Sequence, residues 1–172
     1  HVAGFALGVQ AQMTTRVIRE KKTARNVVAF LPATASASGV QKPWVAIGAH
    51  YDHLGTGTGG NSLATREEAG KPHLGADDNA SGTAALLEIG RALAARKPAR
   101  TIALVAFSGE ELGTLGSSYY VQHAIPQPID SLYAMLNLDM VGRLRNARLM
   151  ALGAATARGA PRSSARSPTL AG

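Results

Sequence analysis

The acidic residues and histidines that could do chemistry fall into four tight groups: His50-Tyr51-Asp52-His53, Asp77-Asp78, Glu110-Glu111 and Asp139. Carboxylates gathered at one place repel each other and become partly protonated unless a cation neutralises them. A metal ion supplies that charge. The chain has no cysteine, so a metal would be held by imidazole nitrogen and carboxylate oxygen, which makes zinc the first choice, with manganese or cobalt conceivable. One carboxylate can bridge two ions roughly 3.5–4 Å apart, which share a water or hydroxide and lower its pKa toward about 7. Such a hydroxide is a nucleophile for hydrolysis. Adjacent glutamates suit a division of labour, one binding metal and the other facing the water as general base.

The elements that must position these groups are legible as apolar patterns. Trp44 to Gly48, Thr101 to Phe107 and Tyr133 to Leu138 are short apolar runs bounded by polar or turn residues, as strands covered on both faces tend to be. Val27 to Phe30, before Pro32, and the alternating Thr15 to Arg19 suggest two strands nearer an edge. A helix is expected from about Ser81 to Arg96, with capping side chains offered by Asp78-Asn79-Ala80-Ser81, and a second from Glu111 to about His123. Alternating strands and helices imply an α/β layer fold with a largely parallel sheet. Ligands bind outside the carboxyl ends of such strands, so all four groups land on one edge. The Gly55 to Gly75 loop, rich in glycine at its start, reads as an entrance or lid and lacks the Lys-Ser/Thr pair of a phosphate loop.

Four segments together carry a resemblance. Gly48 to Gly55 (GAHYDHLG), Gly75 to Gly82 (GADDNASG), Phe107 to Gly113 (FSGEELG) through Gly116-Ser117, and Asn137 to Met140 (NLDM) resemble the signature blocks of the bacterial leucyl aminopeptidase family of two-zinc peptidases, over roughly Thr23 to Arg145. The resemblance implies a three-layer sandwich with a largely parallel mixed sheet, two zinc ions and release of N-terminal residues from a peptide substrate. By position, His50 and Asp139 would bind one zinc, Asp77 would bridge, Glu111 would bind the other zinc, Asp52 would orient the His50 ring, and Glu110 would activate the water. The family also uses a histidine well downstream of Asp139, and no histidine follows Asp139 here. The scaffold also resembles carboxypeptidases and glutaminyl cyclases. The alternative is a non-catalytic or truncated relative that binds one metal or none.

For the remaining candidates a plainer role is expected. Asp78 is a helix N-terminal charge or a supporting carboxylate, and His53 and His73 are loop residues, His53 within reach of substrate. His123 is a helix C-terminal dipole partner, and Trp44 packs on the sheet or at its margin.

Composition bounds the rest. The 172 residues allow one domain with an aliphatic core, aromatics being only 5 %. The net charge of +7 is concentrated in the tail: six arginines and no acid follow Met140, whereas twelve basic residues face eleven acidic ones before Arg143. A tail without aromatics argues against nucleic-acid binding, and no apolar run approaches the roughly 20 residues that span a bilayer. The expected organisation is a partial zinc-peptidase catalytic domain over 1–146, followed over 147–172 by an Ala/Arg/Ser/Pro-rich tail that reads as non-native or disordered, as a frame change near Asn146 would give. The chain starts without methionine or a convincing signal peptide, so it is expected to begin inside a longer one. The resemblance implies a secreted or periplasmic protein.

Overall fold

The computed structural model describes residues 4, 8–18, 21–34, 43–57, 62–124, 128–144 and 149–153. Four strands form one sheet: β1 (Val27–Leu31), β2 (Trp44–His50), β3 (Thr101–Phe107) and β4 (Leu132–Asn137), in the order β1-β3-β2-β4. β2 runs parallel to β3 and to β4, and β1 closes the far side antiparallel to β3. The result is the largely parallel mixed sheet expected. The apolar runs place three of these strands to within two residues, and Thr101–Phe107 without change. Residues 15–18 are not a strand; their apolar members Val17 and Ile18 are exposed, and among the described residues no strand pairs with them.

Side-chain alternation separates two cores. Trp44 and Ala46 of β2, with Ala103, Val105 and Phe107 of β3, pack on one face against Tyr120 of helix α2 (Leu115–Gln122). Ala49 packs on the other face with Leu86 of helix α1 (Gly82–Ala94), flanked by Ile47, Leu104 and Ala106. Helix, sheet and helix make the three layers. Trp44 is wholly buried, and its indole N–H donates to Ser131 Oγ at 3.0 Å. Burying a large side chain of this kind stabilises by about 1.5–3 kcal/mol.

Two expectations change. The second helix starts at Leu115 rather than Glu111, because Gly109, Gly113 and Thr114 all adopt positive φ and fold residues 110–114 into a turn instead. β4, expected to be covered on both faces, is an edge strand with Tyr133, Met135 and Leu136 exposed. Of the tail, only 149–153 lie among the described residues, so the expectation for 147–172 falls mostly outside them.

The register sets the site. His50 of β2 lies opposite Phe107 of β3, and Gly48 opposite Asn137 of β4. Pairing continues past both strand ends, with Tyr51 N–H donating to the Phe107 carbonyl and Leu138 N–H to the Gly48 carbonyl. Residues 50–53, 108–111 and 138–139 therefore leave the sheet at one level, at the carboxyl edge.

Candidate metal centre and catalytic site

His50 closes β2 and is buried. Its Nδ1 lies 3.1 Å from the backbone oxygen of Asp52. A proton on Nδ1 donates to that carbonyl and leaves the Nε2 lone pair free, the tautomer assigned by the bond itself. Nε2 faces Asp78 Oδ1 at 3.2 Å and Asp139 Oδ1 at 3.5 Å. Three electron-rich atoms turned toward one another need a positive charge among them. Ligand atoms around a tetrahedral zinc with bonds of about 2.0–2.1 Å sit about 3.3 Å apart. The separations of His50 Nε2 from Asp78 and Asp139 match that spacing.

A second group lies beside it. His53 Nδ1 is 2.7 Å from Glu111 Oε1 and 4.0 Å from Asp78 Oδ1, and the three residues can offer ligand atoms all within 4.8 Å of one another. Asp78 belongs to both groups. A carboxylate so placed could serve two cations.

The resemblance implies Asp77 as the bridge, and the structure places it apart from both groups. Its carboxylate pairs with Arg143 Nε at 2.7 Å and accepts the Gly142 N–H at 3.0 Å and the Ser81 hydroxyl at 3.3 Å. The physical reason is the backbone between Gly75 and α1. Asp78 (φ −105°, ψ 96°) and Asn79 (φ −133°, ψ 41°) leave helical geometry, so successive side chains diverge, and it is the second aspartate that meets His50.

Asn79 anchors this irregular segment, beyond the capping role that the sequence offers it. It does cap α1, accepting the Gly82 N–H at 3.0 Å on Oδ1, which also accepts the Met140 N–H at 3.2 Å. Its Nδ2 donates to the carbonyls of His50 and Leu138. One buried amide thus ties together the ends of β2 and β4 and the start of α1. Position 82 must be glycine for this, since a Cβ there would run into the Asn79 amide and the Leu138 carbonyl.

Asp52 also differs from expectation. Its carboxylate lies 3.8 Å from His50 Nδ1, and the closer contact to the ring is its backbone carbonyl. The carboxylate instead accepts the Glu110 N–H at 3.1 Å on one oxygen and the Glu111 N–H at 3.2 Å on the other. The two glutamates are thereby presented as a rigid pair from a turn that Gly109 opens with φ 67°. Leu115 N–H closes that turn on the Gly109 carbonyl.

Glu110 lines a cleft of about 240 Å³ with His50, Phe107, Thr114 and Asp139. Burial raises its carboxyl above the ordinary carboxylate value; His50 opposes the rise, while Glu111, Asp139 and Asp52 add to it. A carboxylate that is poorly solvated and crowded by others is a stronger base than an exposed glutamate. Glu111 points to the neighbouring His53, so the adjacent glutamates do diverge as their spacing suggested.

His73 bonds to Ser62 and packs edge-on to the His53 ring. His123 ends α2, bonded to the Tyr119 carbonyl and stacked on its ring. Among the described residues no helix is long and apolar enough to cross a membrane.

The fold is a three-layer α/β scaffold with two groups of candidate metal ligands at the carboxyl edge of its sheet, and kinship makes the assignment specific. The chain belongs to peptidase family M28, whose model matches residues 26–169. It is 31 % identical over 144 residues to the aminopeptidase YwaD of Bacillus subtilis, a match covering 79 % of this chain and 28 % of that protein. An aminopeptidase of Pseudomonas aeruginosa is 32 % identical over 134 residues, covering 78 % of this chain and 21 % of its own length. Among solved structures, BSAP, a zinc aminopeptidase from Bacillus subtilis, superposes with a TM-score of 0.51 at 32 % identity, over 68 % of this chain and 24 % of that one. A glutaminyl cyclase from Tannerella forsythia superposes with a TM-score of 0.54 at 28 % identity, over 72 % of this chain and 43 % of that one. The chain thus spans under a third of the length of these two aminopeptidase relatives.

Proposed function

We propose that this chain carries the catalytic centre of a zinc-dependent aminopeptidase, of the leucyl aminopeptidase type, that removes N-terminal residues from peptides. The observation that carries the reading is Asp78, one carboxylate common to two ligand groups, with Glu110 beside the first of them. His50, Asp78 and Asp139 would hold one zinc ion; Asp78 and Glu111 would contribute to a second. Zinc, when bound, supplies a Lewis acid for the scissile carbonyl and makes water acidic enough to attack at neutral pH. Glu110 takes the proton of the attacking water and delivers it to the leaving amine, a role its raised basicity suits. Asp52 holds Glu110 and Glu111 in register throughout, and Asn79 keeps His50 and Asp139 at one level.

The scaffold is shared with a glutaminyl cyclase, so the fold does not choose the reaction. Incubating the zinc-loaded chain with aminoacyl anilides and with an N-terminal glutaminyl peptide decides it. Release of the anilide amine, reduced about 10²- to 10⁴-fold by Glu110→Gln, supports the aminopeptidase. Loss of ammonia from the glutaminyl peptide without anilide cleavage overturns it, as does a chain that cleaves nothing when loaded.

A further inference from the structure

We propose that Asn26 is a positioning residue for Glu110, its side-chain amide fixing the junction of strand and turn from which that carboxylate is aimed into the cleft. This rests on the zinc aminopeptidase reading above and concerns a residue outside both ligand groups.

Asn26 is half-buried and stands immediately before β1, which flanks β3 on one side as β2 flanks it on the other. The turn carrying Glu110 and Glu111 follows β3, so both neighbours can reach it. From the β2 side Asp52 accepts the N–H groups of Glu110 and Glu111. From the β1 side Asn26 Oδ1 accepts the Ser108 N–H at 3.1 Å, and Asn26 Nδ2 donates to the Gly116 carbonyl at 2.8 Å. One amide thus closes the segment at both ends, at Ser108 where it leaves the sheet and at Gly116 where it enters α2. The two partners are of opposite kind, which also fixes the end of the amide that faces each.

The register explains why a side chain does this work. Val27 lies opposite Ala106, so the same antiparallel register carried further would set Arg25 opposite Ser108. The Arg25 carbonyl, however, accepts the Tyr51 hydroxyl at 2.7 Å. The Ser108 N–H is taken by the Asn26 amide. Ser108 is buried, where a donor left unmatched is costly.

The fit around this amide is close. A Cβ at Gly116 would run into the Ser108 carbonyl and come within 2.5 Å of Asn26 Oδ1. Within the turn, Gly109 (φ 67°) and Gly113 (φ 102°) bring no side chains to pack, and Leu112 is 72 % exposed. Hydrogen bonds more than packing therefore set the direction of Glu110. The rival role is stability alone, in which the amide only ties β1 to α2. The two bonds separate these roles, because Ser108 lies two residues from Glu110 and Gly116 lies beyond the turn.

The test compares wild type with Asn26→Asp and with Asn26→Ala or, where that chain does not fold, Asn26→Ser. Anilide cleavage, zinc content and melting temperature are measured on each full chain, with hydrogen exchange of the Ser108 amide in the metal-free state. Both variants should melt below wild type and bind as much zinc. Asn26→Ala should lose kcat about 10- to 100-fold at unchanged KM, as a slightly misplaced reacting group does, and its Ser108 amide should exchange faster. Asn26→Asp can still accept from Ser108 but has nothing to donate to Gly116, so it should keep the amide protected and retain most of kcat. A loss of kcat in Asn26→Asp as large as in Asn26→Ala, or an unchanged kcat in Asn26→Ala, reduces Asn26 to a structural tie and overturns the proposal, leaving the aminopeptidase reading standing. A wild-type chain that holds zinc and cleaves no anilide overturns that reading, and the proposal with it.

Discussion

The carboxylate of Asp52 accepts the backbone N–H of Glu110 at 3.1 Å and, through its other oxygen, that of Glu111 at 3.2 Å. The segment after β2 therefore grips the segment after β3 by its main chain. The two glutamates are held at a fixed separation by main-chain bonds that leave their side chains out of the clamp. Asp52→Asn replaces one accepting oxygen by an NH₂ that must face a backbone donor. The expected loss is about 1–3 kcal/mol of stability, for leaving a half-buried donor unmatched. Turnover should fall about 10- to 100-fold, the usual effect of disturbing groups that support metal ligands. Thermal melts and anilide cleavage of the same preparation check both; an unchanged melt with unchanged turnover would show the clamp to be idle.

Asn79→Ala removes four hydrogen bonds at once, two to carbonyls and two from backbone N–H groups, at a site where water has little access. A destabilisation at the upper end of the about 1–3 kcal/mol range for unsatisfied buried groups is expected, read from denaturant midpoints. Aspartate at this position keeps the acceptor but loses the donor, so Asn79→Asp should also destabilise. A variant as stable as the parent would contradict the anchoring role.

Glu110 makes stability depend on pH in a defined direction. Its carboxyl in the fold titrates above its ordinary value of 4.5. Above the folded value the ionised carboxylate sits in an unfavourable site and costs stability; below 4.5 it is protonated in folded and unfolded chains alike and costs nothing. Metal-free Glu110→Gln should therefore melt higher than the parent at pH 7, with the gap closing as pH falls through the folded value toward 4. A gap of the same size at both ends, or one of opposite sign at pH 7, would refute the burial, and the crowding by Glu111, Asp139 and Asp52, that raise the Glu110 carboxyl.

Much of this is legible in the sequence. The runs of Trp44 and Thr101 announce strands because a buried parallel sheet leaves no room for polar alternation. The chemistry at their carboxyl ends follows from the same topology. The choice between Asp77 and Asp78 was not legible, because neighbouring aspartates look alike until backbone dihedrals decide which faces the centre. His53 was hidden for a similar reason, being an ordinary loop residue unless Glu111 is known to fold back toward it. The sequence also places the start of α2 at Glu111, whereas positive φ at Gly113 and Thr114 delays it to Leu115. β4 carries the apolar run of a covered strand, yet Tyr133, Met135 and Leu136 are exposed among the described residues.

Asp78 at the junction of two ligand groups is the central claim, and metal content of the paired variants Asp78→Asn and Asp77→Asn tests it most directly. Each full chain is loaded with zinc, passed through a desalting column and assayed for metal. Asp78→Asn should lose metal from both positions, since each group then retains one carboxylate and one imidazole, whereas Asp77→Asn should keep two ions and lose only its pairing with Arg143. Two ions retained by Asp78→Asn, with metal lost from Asp77→Asn, would contradict the account and return the bridge to Asp77.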